Sequence, residues 1–62
     1  MRVKGVRIVA SEQQIADTIR KHTGKSASDC LEISKQILNG SAVVLPDDWV
    51  LEQDLKDLGV KF

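Results

Sequence analysis

Sixty-two residues are one domain's worth of chain and no more, and such a chain buries only about 60% of the surface its unfolded form exposes. Nine basic and nine acidic residues cancel, which speaks against a dedicated nucleic-acid binder, because phosphate neutralisation supplies most of such a binder's affinity. One cysteine, Cys30, excludes an internal disulfide framework, and the ligands of a metal site are lacking.

Met1 to Ala10 reads as a strand. Val3, Val6, Ile8 and Val9 are β-branched, and Val6, Ile8 and Ala10 share one side of the pleat while Arg7 takes the other. Gly5 weakens the run and marks either a bulge or a close crossing. One covered face and one wet face suit an antiparallel sheet. Ser11 then starts a helix: with Gln14 it forms a capping box, and Glu12 lies at the positive end of the dipole. Ile15, Ala16, Ile19 and Thr23 make a narrow apolar stripe with His22 at its border, and Gly24 is the stop.

Only Lys25 separates that stop from the next cap, Ser26. Two helices joined so tightly form a corner with both apolar sides turned to one interior. The helix over residues 26–38 is the best-defined element. Ala27, Cys30, Leu31, Ile33, Ile37 and Leu38 fall on one face, and Ser28, Asp29, Glu32, Lys35 and Gln36 on the other. Ser34 is the polar exception in the apolar arc, small enough to admit another backbone. Ser26 with Asp29 has capping-box spacing, and Asn39-Gly40 supplies a left-handed stop.

Ser41 to Leu45 reads as a short strand through Val43, Val44 and Leu45. Two readings compete after Pro46. Val43–Leu45 and Trp49–Leu51 can flank a hairpin loop, or Asp47 can cap a helix running to Leu58. Leu51, Leu55 and Leu58 recur at helical spacing before Gly59, which favours the helix. Val60 to Phe62 ends the chain as a strand beside the first. The expectation is an α+β fold of order β-α-α-β-α-β: a small antiparallel three-stranded sheet with three helices on one face. No run approaches the roughly 20 apolar residues of a membrane span, and Lys4 and Arg7 interrupt the apolar block a secretory signal needs. A cytoplasmic, reducing setting is expected, with no cofactor.

Ile19-Arg20, then Thr23-Gly24, then an amphipathic helix resembles the C-terminal domain of the bacterial ribosomal stalk protein. So does the later segment, with an acidic cap at Asp47, Leu51 and Leu55, Gly59 and a last strand. The resemblance covers nearly the whole chain and implies the element order above. It further implies docking of a protein partner through the first helix and the start of the second, with Arg20 at one of that family's basic positions. Asp17 stands where the family carries lysine, and a further family lysine falls on or beside Leu31. The family's dimerising N-terminal region and hinge are not among these residues, so a relative in shape is expected rather than a working stalk. A small regulator, or a protein of a virus or mobile element, would suit such a chain.

The catalytic candidates are thin. His22 has no nucleophile at a diagnostic spacing and reads as a border residue near a helix C-terminus. Asp47-Asp48 are explained by a helix start, and Gly24-Lys25-Ser26 by a stop followed by a cap. Cys30 reads as a buried structural thiol. Two surfaces carry more. Arg20, Lys21, His22 and Lys25 form a local positive patch, with Arg7 near it, and Trp49 with Val50 lies off the leucine stripe as an exposed anchor. The expectation is a non-catalytic protein-binding module that docks through Ala16, Ile19, Arg20, Lys21 and Lys25, with Trp49 as a further contact. The alternative is a small nucleic-acid-binding transcriptional regulator using residues 26–38 as reader, against which Asp29 and Glu32 stand. Self-association into a homodimer is one remedy for the small core.

Overall fold

The computed structural model describes residues 1–7 and 10–62. It is an α+β structure of three helices and two small antiparallel strand pairs. In chain order these are β1 (Arg2–Val3), β2 (Gly5–Val6), α1 (Glu12–Thr23), α2 (Ala27–Leu38), β3 (Val43–Val44), α3 (Trp49–Asp57) and β4 (Val60–Lys61). β1 pairs with β3, Val3 opposite Val43, and β2 pairs with β4, Val6 opposite Val60. The strand expected over residues 1–10 is thus two short ones divided at Lys4, because the segment turns from one partner to the other there. The Leu45 amide still donates to the Met1 carbonyl at 2.7 Å, and the Lys4 amide to that of Lys61 at 2.8 Å. Ile8 and Val9, expected to continue the strand, lie outside the described residues. Among the described residues, a β-carbon at Gly5 would meet nothing within 4 Å, so none of them makes a close crossing there.

The helix punctuation follows the side chains. Ser11 and Gln14 form the full reciprocal box at the start of α1. Ser26 accepts from the Asp29 amide at 3.2 Å, one half of the expected box. Gly24 (φ 70°) and Gly40 (φ 86°) take the left-handed conformation that a β-carbon disfavours. Residues 49–57 are helical, as the leucine spacing expects, but the cap is Asp48 rather than Asp47. Asp48 Oδ1 accepts from the amides of Val50 and Leu51 at 3.0 and 3.2 Å, whereas Asp47 turns to the N-terminal ammonium at 2.7 Å.

Ile15, Ile19, Ile37, Leu51 and Leu55 are fully buried at the centre, and Val3, Val43, Leu45 and Val60 bring the strands into the same cluster. Ser34 is equally buried. Its hydroxyl donates to the Glu12 carbonyl at 2.6 Å, so the small residue in the apolar arc does admit the backbone of another helix. Ala27 and Leu38, at the two ends of that arc, are exposed because the helix outruns the core. Among the described residues, no helix is long and apolar enough to cross a membrane.

Candidate functional site

The short turn between α1 and α2 lets the helices pack along their apolar stripes but leaves a groove of about 190 Å³ between them. Buried Ala16 and Cys30, half-buried Leu31 and exposed Ala27 line it with carbon and sulfur. Gln13, Asp17, Arg20 and Ser28 supply its polar edge. The edge is not uniform. Asp17 accepts from the Gln13 side chain at 2.8 Å, one helical turn away, so part of its acceptor capacity is taken up within α1. Arg20, Lys21 and Lys25 are exposed, and among the described residues none of them has an ion-pair partner. Those three cations gather where α1 ends. They stabilise the negative end of the α1 dipole and leave positive potential beside an apolar hollow.

The expected contact residues therefore divide. Ala16 and Arg20 line the groove, and Lys21 and Lys25 flank it in sequence. Ile19 does not belong to this surface. It is fully buried in the hydrophobic core, so it offers no surface to a partner. Trp49 is 72% exposed and Val50 53%, as an outward anchor requires. They stand elsewhere, however: Trp49 borders a shallow depression with Met1, Asp47, Asp48 and Glu52, and shares no lining residue with the groove. Cys30 is buried as expected, its thiol 3.9 Å from the Lys25 carbonyl.

No family model, curated protein or solved structure matches the chain. The site is therefore read from its own geometry.

Two features lie outside what the sequence suggested. His22 Nε2 stands 2.7 Å from Asp54 Oδ2 and ties the end of α1 to α3 across thirty-two positions of chain. The imidazole is thus committed to a carboxylate and is not part of the open cationic patch. The available signal was that both residues border an apolar stripe, Asp54 immediately before Leu55. The second feature is a second basic surface. Arg7, Lys56 and Lys61 border an open depression with Gly59 and Phe62, brought together because the Arg7 amide donates to the Gly59 carbonyl at 2.8 Å. Arg7 therefore belongs there and not with Arg20.

Proposed function

We propose that the chain is a non-catalytic, cytoplasmic protein-binding module, a small regulator that receives a protein partner in the groove between α1 and α2. The observation that carries this reading is an apolar hollow the size of one large side chain beside three cations that, among the described residues, have no ion-pair partner. An apolar contact in such a hollow provides affinity, and the charges select a partner of opposite sign and speed its arrival. The accompanying reading of shape is the one implied by the ribosomal stalk C-terminal domain. In it, residues 1–7 form the middle of a single three-stranded antiparallel sheet, with β3 and β4 on its edges and the helices on one face. Support comes from the pairing of β1 and β2, separated only by Lys4, with different strands. Asp17 lies on the groove where that family carries lysine, so the partner is taken to differ from a translation factor.

Affinity purification from the source cells tests the docking surface. Ala27→Phe fills the groove and Arg20→Glu/Lys21→Glu inverts its charge. The expected outcome is that a partner held by the wild-type chain is lost with both variants and kept by Gln36→Glu on the far face of α2. Retention of every partner by both groove variants contradicts the reading.

The nucleic-acid-binding reading has one observation in its favour, the basic surface of Arg7, Lys56 and Lys61. It requires that a labelled oligonucleotide bind, that binding weaken steeply with added salt, and that Lys56→Glu/Lys61→Glu abolish it. Salt-independent binding, or none, excludes it.

A further inference from the structure

The two surfaces that the structure separates are complementary to each other. One is concave: Ala16, Ala27 and Leu31 line it with Arg20 and Asp17 at its edge, and exposed Lys21 and Lys25 follow Arg20 in sequence. The other carries an apolar anchor. Trp49 projects from the first turn of α3 at 72% exposure beside a shallow depression, with Asp47, Asp48 and Glu52 around it; Asp47 also meets the N-terminal ammonium and Glu52 meets Lys56. Asp47 is held below its ordinary 3.8 by the hydrogen bond and charge of the N-terminal ammonium. It therefore stays charged, and its side chain is 93% exposed. Neither surface can satisfy the other within one molecule, because the anchor stands on α3 and the hollow lies between the other two helices. Zero net charge leaves no long-range repulsion between copies to keep them apart.

We infer that the occupant of the α1–α2 groove is a second copy of this chain, which inserts Trp49 with its acidic surround into the hollow and against the basic corner. This rests on the docking surface proposed above and names its partner. The contact is head-to-tail. Each copy offers one anchor and one hollow, and a bound pair still has one of each free at its ends. Association therefore continues past the dimer unless the rotation closes a ring. The indole supplies the buried area and the carboxylates set the orientation against Arg20, Lys21 and Lys25, the usual division between anchor and charge at an interface.

Complementation of two broken copies tests the arrangement. Trp49→Ala removes the anchor and keeps the hollow; Ala27→Phe fills the hollow and keeps the anchor. Both changes are at exposed positions, and cooperative thermal unfolding checks that each variant is folded. Sedimentation equilibrium of the wild-type chain from micromolar to millimolar concentration is expected to show a mass that rises past the dimer or settles at a closed ring. Each variant alone is expected to remain monomeric. Their equimolar mixture is expected to reach the dimer mass and stop, with the emission of the one tryptophan left in its site shifted to the blue. Added salt should weaken the wild-type association. A wild-type chain that stays monomeric throughout overturns the inference, as does one that associates equally well as Trp49→Ala, or a mixture that stays monomeric while the wild type associates. If the wild type is monomeric and Ala27→Phe still loses a captured partner, the groove remains a docking surface and only its occupant is wrong. If Ala27→Phe loses nothing in either experiment, both readings fall.

Discussion

The α1–α2 pair and the α3 segment are tied into the molecule by different kinds of polar contact. Between α1 and α2 the hydrogen bond to the Glu12 carbonyl comes from a fully buried hydroxyl, that of Ser34, and both helices start on serine caps. On α3 the polar contacts reach solvent. The Asp54 side chain that holds His22 is 41% exposed, Lys56 meets Glu52 at 3.4 Å on the surface, and Asp47 meets the N-terminus in the open. A buried donor gives water less chance to compete for its bond, whereas exposed pairs are screened and contribute little. The difference teaches which contacts between helices are better protected. The groove lies between α1 and α2, and α3, with its exposed tryptophan, is expected to open first.

The strongest way to break that contrast is to open a cavity on each side. Ile15→Ala and Leu55→Ala both remove fully buried side chains, and each should cost about 2–5 kcal/mol in denaturant unfolding. Hydrogen exchange should tell them apart: Leu55→Ala opens α3 while α1 and α2 stay protected, and Ile15→Ala loosens all three helices together. Equal loss of protection in α1 and α2 with both variants contradicts the contrast.

The Ser34 bond itself comes next. Ser34→Leu forces extra volume between two helices and should cost about 1–3 kcal/mol. Ser34→Ala removes only the hydrogen bond, about 1 kcal/mol. A stabilised Ser34→Leu variant in thermal unfolding would mean that the helices are not in close contact at that point.

A double-mutant cycle on His22→Gln and Asp54→Asn should return a coupling of about 0.5–1 kcal/mol, reduced by salt because the pair is partly open to solvent. A coupling as large as the Ser34→Leu effect, or one indifferent to salt, would make the α3 attachment as well protected as the α1–α2 one. The smallest effect belongs to Asp47. Its carboxyl is lowered below 3.8 by the N-terminal hydrogen bond first and the terminal charge second. A lowered folded-state value means that the contribution is present above the unfolded value and fades as pH falls through the folded one. The apparent Tm of the wild type should therefore fall slightly more steeply than that of Asp47→Asn on acidification, and the gap should close in high salt. A gap that widens with salt would point to something other than this pair.

Much of this architecture was legible in the residues. Serine caps, left-handed glycines and leucines at helical spacing report local physics, and they place all three helices. Ser34 was legible too, since a lone small polar side chain in an apolar arc has few uses other than admitting a neighbour's backbone. The division of the first strand at Lys4 was not, because it depends on where β3 and β4 arrive and not on anything in residues 1–7. Nor was the choice of Asp48 over Asp47 as cap: the two carboxylates are equivalent locally, and the position of the N-terminus in the fold decides between them. In the site, the charges of Arg20, Lys21 and Lys25 could be read as a cluster. The burial of Ile19 was legible in its place on the apolar stripe, whereas the separation of Trp49 from that cluster follows only from packing.

Site-specific photo-crosslinking in the source cells tests most directly whether the α1–α2 groove is where this chain meets a protein. A photoreactive phenylalanine analogue replaces Ser28 on the groove in one variant and Gln36, exposed on the side of α2 turned away from it, in another, and adducts are read by mass. A discrete adduct from position 28 that disappears when Arg20→Glu/Lys21→Glu is added, with none from position 36, is the predicted result. Adducts from position 36 and none from position 28 would place the contact on the other side of the helix and contradict the account.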